Sequence, residues 1–447
     1  MRLRRKLTLT LWALASTFAA GNAFAAGLFA RGPFLQSLGK TAVTIKLDLL
    51  TPEPVTVEVT GPDGVAKKVE ATDPRRFHAV RVEGLTPSTA YRYRVLAGAA
   101  ATATASEEGH FTTAPDDARP FKIVTYGDSR SDPAAHAAVI RAIEGTPSDF
   151  LLHTGDMVAI GAEEDDWRGF FEVENKLLRD RCVFASVGNH ELAGEKGVGA
   201  ATFLRYFATA DDAGKDMPKL WGSFRWSNAR FFLLNAMDAW TGEERAWLKD
   251  ELDRAAAEPG LVHRIAVLHH GPYSSGPHGG NDRLHENGVT QLLKDGKIDL
   301  IVAGHDHAYE RGTGDGLKYV VSGGAGAPLY PRKKRSPETA VYESVHHFVE
   351  LSFDGDKVGL VAKRASGSVI EKCGFAAHGP WECEKAGAGP GTSAAPASSA
   401  GPAGIQTSSA CACSAPGSGS VPTGAVGLAA MAGLVLASAG RRSRRRR

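Results

Sequence analysis

The chain has 447 residues, 43% of them hydrophobic and 23% charged, which allows two domains with sizeable cores and excludes a disordered or fibrous protein. Its formal net charge of +2 hides an asymmetry. Setting aside four basic residues at the start and six arginines at the close leaves 42 of the 52 basic residues against 50 acidic ones, which gives no basis for nucleic acid as an electrostatic partner.

The opening MRLRRK leads into an apolar run from Leu7 to Ala20 and then Ala23-Phe24-Ala25, a small-x-small pattern. Residues 1–25 therefore read as a secretory signal peptide, the apolar run being too short to span a bilayer. Export places the cysteines in an oxidising compartment. Cys373 and Cys383, close together in a polar segment, are expected to pair, whereas Cys182, in an apolar run, is expected to be an inert core residue.

Residues 28–115 alternate as strands do. Val43–Leu47, Val55–Val59 and His78–Val82 are separated by turn signals such as Gly61-Pro62-Asp63-Gly64, which predicts an all-β sandwich. The stretch from Gly84 to Tyr93 resembles the fibronectin type III pattern near its tyrosine corner. Gly32-Pro33-Phe34-Leu35-Gln36 resembles the opening of the N-terminal domain of purple acid phosphatases. No chemistry is visible in this segment, which reads as a spacer or a wall on the substrate side.

From about residue 119 to 370 apolar runs of strand length alternate with helical segments. The runs are Phe121–Tyr126, Phe150–His153, Val183–Val187, Ile265–Leu268 and Leu300–Ala303; helices are expected over 133–144, 163–178, 243–256 and 286–295. The first helix has Asp132 as its N-cap and Pro133 at its first position. This alternation predicts an α/β domain of packed layers. Residues 386–420 are an Ala/Gly/Pro/Ser linker that cannot form a core. Residues 421–447 combine an apolar stretch with terminal arginines, a surface-retention tail whose Cys411-Ala412-Cys413 resembles sorting signals of the MYXO-CTERM type. Removal of the apolar stretch and a plain membrane anchor are both open, so the protein is expected at the cell surface or outer membrane, or secreted.

Each strand runs into a polar block: Gly127-Asp128-Ser129-Arg130, Gly155-Asp156-Met157-Val158, Gly188-Asn189-His190-Glu191, His269-His270-Gly271-Pro272-Tyr273, and Gly304-His305-Asp306-His307-Ala308-Tyr309-Glu310-Arg311. Carboxylates and imidazoles at strand ends suit Zn, Mn or Fe better than Ca or Mg. The order and wording of the blocks resemble the calcineurin-like metallophosphoesterase superfamily, in its purple-acid-phosphatase-like branch, over residues 28–360. That resemblance implies an α/β fold of a β-sandwich flanked by helices and a two-metal hydrolase acting on small phosphate esters. It implies Asp156 as the bridging ligand, Asn189, His269 and His305 on the second metal, and Asp128 and His307 on the first. His190 maps onto a substrate-contacting histidine, and His278 matches a second one more loosely. Two cations about 3.5–4 Å apart neutralise an anionic phosphoryl group and lower the pKa of bound water, giving hydroxide near neutral pH.

Two positions depart from the pattern. The branch places a Tyr three residues after the bridging Asp, where this chain has Ala159, and other branches place a His where this chain has Arg130. Arginine has no lone pair to give. The nearest spare imidazole is His136, a candidate for the missing ligand; a contact to phosphate, a second-layer contact or a satisfied surface position are its alternatives. Arg130 is a candidate to grip a phosphoryl oxygen, or to pair with Asp132. His153 is expected in the core, His270 behind the ligands, and His346 and His347 toward solvent. Ser322–Ala327 is either a close backbone approach to the site or a plain turn. Monoester hydrolysis is the main expectation; a phosphodiesterase and a weakly catalytic adhesion protein are the alternatives.

Overall fold

The computed structural model describes residues 28–98, 105–207, 209–210, 216–217 and 219–384. The expected signal peptide, linker and tail lie outside the described residues. Among the described residues no helix is long and apolar enough to cross a membrane.

The N-terminal region is a five-stranded antiparallel sheet in which Ala42–Thr60 is the organising strand. Its first half lies between Phe29–Gln36 and the end of Ala66–Glu83; its second half pairs with the start of Ala66–Glu83 and with Ala90–Ala97. The sequence suggested two strands here. The chain instead runs through as one, with register shifts between Asp48 and Val55 that absorb Pro52 and Pro54, two residues unable to donate to a ladder. The Tyr91 hydroxyl accepts the Thr86 N–H at 2.9 Å. Asp48 takes Arg205 and Tyr206, and Arg31 reaches Glu164, so this region is fixed to the following domain through ion pairs and hydrogen bonds.

That domain stacks two seven-stranded sheets. In the first, the parallel strands Phe121–Tyr126, Phe150–His153 and Val183–Ala185 continue into the antiparallel His347–Asp354, Lys357–Arg364 and Val369–Ala376. In the second, Ala229–Leu234, His263–Leu268, Leu300–Ala303 and Leu317–Ser322 run parallel. Phe184 stacks on Phe224 with ring centres 3.8 Å apart, and Phe150 meets Phe231 edge-on, so aromatic side chains close the space between the sheets. Each such side chain contributes about 1.5–3 kcal/mol of burial.

Helices cover the outer faces. α1 (Pro133–Glu144) has the expected bounds, and its Asp132 cap accepts from the N–H groups of Ala134 and Ala135. With α2 (Glu164–Asp180) and α3 (Val198–Phe207) it packs on the first sheet, and α4 (Glu243–Ala257) packs on the second. The helix expected over 286–295 is broken into α5 (Asp282–Glu286) and α6 (Val289–Asp295) by Gly288, whose φ of 67° ends one turn and starts the next. Cys373 and Cys383 are disulfide-bonded, and Cys182 is buried and takes no part in a disulfide. His347 corrects an expectation: it is fully buried, with its ring edge-on to Tyr309, and burial pushes it down to about 4.

Candidate active site

All five polar blocks meet at the C-terminal ends of the parallel strands of the two sheets, and none of the site residues comes from the N-terminal region. Three of them, Asp128, Asp156 and His305, have φ of 56°, 58° and 72°. That left-handed conformation costs a non-glycine residue about 1–3 kcal/mol and persists only where the surroundings impose it. Glycines make the approach possible. A Cβ on Gly188 would lie 2.2 Å from Asp156 Oδ1, and one on Gly304 would lie 2.5 Å from Asp128 Oδ2. The Ser322–Ala327 loop also approaches closely: Ala325 and Ala327 donate their N–H groups to the carbonyls of Gly127 and Asp128.

Glu191 organises two of the blocks. Its buried carboxylate accepts from the N–H groups of Asp156, Met157 and Gly188 at 2.7–2.8 Å and from Val158 at 3.3 Å. Burial, with the charge of Asp156, pushes it up to about 7. The sequence alone gives this residue no role, because three of its four partners lie 33 to 35 residues back in another loop.

One donor set centres on His269. Its Nδ1–H donates to the Thr154 carbonyl at 2.9 Å, which leaves Nε2 with a lone pair directed into the site. Around that Nε2 lie Asn189 Oδ1 at 3.1 Å, Asp156 Oδ1 at 3.3 Å and His305 Nδ1 at 3.1 Å. Metal bonds of about 2.0–2.2 Å at near-right angles put donor atoms about 3 Å apart, so the spacing fits one ion. Electrostatics agree. Burial disfavours charge on His269, but Asp156 and Asp128 override it and raise the ring to about 9; the cluster calls for a cation. Burial and the neighbouring imidazoles drive His305 strongly the other way.

A second set consists of Asp128, Asp156 and His307, whose donor atoms lie within 4.8 Å of one another. His307 Nδ1–H donates to the Pro328 carbonyl at 2.7 Å, leaving Nε2 3.5 Å from Asp128 Oδ1. Asp128 Oδ1 is buried without a hydrogen-bond partner, and burial holds that carboxyl well above its usual range. An orphaned buried oxygen beside a bare imidazole nitrogen suits a metal ion. Asp156 presents Oδ1 to the first set, and its Oδ2 meets Arg130, whose guanidinium also reaches His307. Burial alone would raise it, but His269 and His190 hold it below the carboxylate range.

Arg130 is part of this second set. Its Nε donates to Asp156 Oδ2 at 3.2 Å and its terminal nitrogen lies 3.4 Å from His307 Nε2. It does not pair with Asp132, which caps α1. The lone pair that Arg130 meets on His307 is the one a metal would use, so metal binding there requires the guanidinium to turn toward the opening. Ser131 and Tyr330 offer it hydrogen bonds on that side.

The histidines separate by role. His190 Nδ1–H donates to the Ala159 carbonyl at 2.6 Å, and its Nε2 stands 3.8 Å from Asp156 Oδ2 with the side chain 28% exposed. His278 is exposed, its ring 4.4 Å from that of His305 and its N–H bonded to Asp306. His270 lies behind, donating to the Gly279 carbonyl with its ring 4.2 Å from that of His305. His153 is a core residue bonded to Ser129. His136 is not placed with the metal donors. It is buried, its Nε2 2.8 Å from Glu174 Oε1 and its ring stacked on Phe170, because α2 brings a carboxylate to it from behind. Sequence reasoning missed Tyr330, whose ring stacks on His307 at 4.0 Å; its only signal was its place after the glycine-rich loop.

Residues 121–309 match the family model of the calcineurin-like phosphoesterases. An uncharacterized protein of Mycobacterium tuberculosis is 26% identical over 278 residues, covering 54% of this chain and 51% of that protein. Purple acid phosphatase 23 of Arabidopsis thaliana is 27% identical over 270 residues, covering 53% of this chain and 57% of the relative. The chain thus spans about half the length of the curated relatives it matches. In fold it is similar to a purple acid phosphatase from yellow lupin (Lupinus luteus) seeds, with a TM-score of 0.66 at 19% identity, covering 77% of this chain and 74% of the other. It is also similar to PhoD, with a TM-score of 0.63 at 11% identity, covering 82% and 94%.

Proposed function

Taking the calcineurin-like phosphoesterase domain as premise, we propose that this chain is an exported, metal-dependent hydrolase of small phosphomonoesters. The observation that carries the reading is Asp156, whose carboxylate belongs to two donor sets: Oδ1 lies 3.3 Å from His269 Nε2, and the carboxylate also lies within 4.8 Å of the donor atoms of Asp128 and His307. The first is Asn189, His269 and His305; the second is Asp128 and His307. Two bound ions of Zn, Mn or Fe would neutralise the phosphoryl oxygens and supply a nucleophile from water at neutral pH.

The chain's own residues do the rest. Arg130, turned to the opening, holds a phosphoryl oxygen through its fork of donors. His190, its ring fixed by the Ala159 carbonyl, directs Nε2 outward, where a proton on that atom reaches the departing ester oxygen. His278 lines the same opening from the other side. The leader, the coreless linker and the arginine-ended tail support export with retention at the cell surface or release. The pattern around Tyr91 supports a fibronectin type III-like module.

The experiment measures metal content and the hydrolysis of a chromogenic monoester and diester by the parent chain and Asp156→Asn. The parent is expected to carry two equivalents and to prefer the monoester. The variant is expected to lose turnover and at least one equivalent. Equal turnover and metal in both proteins would overturn the two-metal reading; a diester preference would correct the substrate class.

A further inference from the structure

Among the described residues, a run of four cations begins two residues after Tyr330. Arg332, Lys333, Lys334 and Arg335 are consecutive and exposed, in a protein whose folded portion carries more acidic than basic residues. Among the described residues none of the four has a carboxylate at ion-pair distance, whereas basic residues such as Arg311, Arg364 and Lys249 do. Glu338, which feels the charge of Lys334, takes its hydrogen bond from Ser336.

The segment is anchored over the site. Tyr330 N–H donates to the His307 carbonyl, and the N–H groups of Lys333 and Lys334 donate to the Ser275 carbonyl at 2.9 and 3.2 Å. Ser275 N–H is in turn held by the buried carboxylate of Glu310, and Ser274 joins Glu310 to Asp306. The two lysines fold inward on either side of His278. Lys333 Nζ donates to the Pro277 carbonyl at 3.4 Å, and Lys334 Nζ lies 3.7 Å from where a Cβ on Gly279 would stand. The ring of His278 is 4.4 Å from that of the donor His305. A solvated basic surface radiates its side chains; this one is tied by its backbone to the rim of a phosphate-binding centre.

We propose that residues 332–335 form a second anion subsite, and that the substrate carries further phosphate groups beyond the one cleaved, as in a di- or triphosphate chain. The inference rests on the phosphoesterase reading and changes the bond it cleaves from a monoester to the terminal phosphoanhydride: the oxygen of water joins the released phosphate, the P–O–P bond breaks, and the shortened chain leaves as a phosphate oxyanion. The cleaved phosphate lies against Arg130 and the metal donors, while the remaining phosphates extend past His278 onto the basic segment. Phosphates carry up to two charges each near neutral pH, and several cations facing them at short range act together.

The test compares the parent with the variant Arg332→Gln/Lys333→Gln/Lys334→Gln/Arg335→Gln in two measurements. Calorimetric titration of the metal-free proteins with tripolyphosphate reads the subsite without turnover; the variant is expected to bind about tenfold more weakly, with a flatter salt dependence. In the metal-loaded proteins the ratio of kcat/KM for ATP and for tripolyphosphate to that for AMP should fall by a similar factor. A parallel loss for ATP and tripolyphosphate assigns the subsite to the phosphate chain, and a loss for ATP alone would overturn that assignment. Equal tripolyphosphate binding by both proteins would overturn the proposal. Absence of hydrolysis in both would refute the enzymatic reading while leaving the titration to decide the subsite.

Discussion

The Nδ1–H of His190 donates to the carbonyl of Ala159 at 2.6 Å. The position at which the similar branch carries a ligand tyrosine therefore serves, through its backbone, to orient the substrate-side imidazole. His190→Ala should keep full metal content, because Nε2 is not among the donors that converge on either set. It should lose rate by about 10²–10⁴, the usual scale of a positioned proton donor. Metal analysis beside steady-state kinetics checks this; metal lost along with rate would make His190 a ligand.

His136→Ala should leave both metals in place and lower stability. Its Nε2 is paired with Glu174, whose other oxygen accepts from the Tyr126 hydroxyl, all in a fully buried network. Removing the imidazole leaves a buried carboxylate short of a donor, a loss of about 1–3 kcal/mol. Denaturant unfolding reads the stability and metal analysis reads the ions. A selective loss of one ion with unchanged stability would restore His136 as a ligand.

His136 also shows what the sequence makes legible. Short-range signals read well: the Asp132 cap, the strand Phe121–Tyr126 and the blocks behind each strand all depend on neighbours within a few residues. What depends on distant partners does not. The pairing of His136 with Glu174 spans 38 residues, and the burial of His347 depends on packing against Tyr309 across the fold. α3 was missed in a glycine-rich loop because its buried Phe203, Tyr206 and Phe207 gain their meaning only against Phe34, Trp167 and Phe171. The convergence of the carboxylates and imidazoles proposed as donors was legible because strand ends deliver them with a fixed local geometry. Tyr330, the role of Glu191 and the basic segment were not, since each reaches the site by tertiary contact alone.

Glu244 gives the stability a pH dependence away from the metals. Its Oε1 accepts the Asn235 N–H at 2.7 Å and its Oε2 is buried without a partner. Burial, with a smaller contribution from Asp238, raises the carboxyl from 4.5 to about 9. Between those values the folded state holds a proton that the unfolded state has released, so stability falls as pH rises. Glu244→Gln removes that slope. The Tm of the variant relative to the parent should therefore climb steadily from pH 5 to pH 9. Parallel Tm profiles would show that Glu244 is ionised in the folded protein.

The alanine at position 159 bears on colour and on the second donor set, Asp128 and His307. In the similar branch a phenolate on ferric iron gives a visible charge-transfer band, and here that position is Ala159. Tyr330 stands beside the second donor set, but its ring stacks flat on His307 at 4.0 Å and 14°, and its hydroxyl hydrogen-bonds Arg130. That geometry makes Tyr330 a support for the His307 ring and for the guanidinium rather than a ligand. Loss of a hard anionic donor also weakens the preference for Fe(III), so Zn, Mn or Fe(II) is expected. The metal-loaded protein should be colourless or faintly coloured. Tyr330→Phe should keep the spectrum and the metal stoichiometry, because the ring still stacks, while kcat/KM falls several-fold as Arg130 loses its partner, the scale of one hydrogen bond of about 1 kcal/mol. Tyr330→Ala should in addition loosen His307 and lower the occupancy of the second donor set. A strong visible band in the parent that disappears in Tyr330→Phe would show the phenolate bound to metal, and would make Tyr330 the ligand that Ala159 is not.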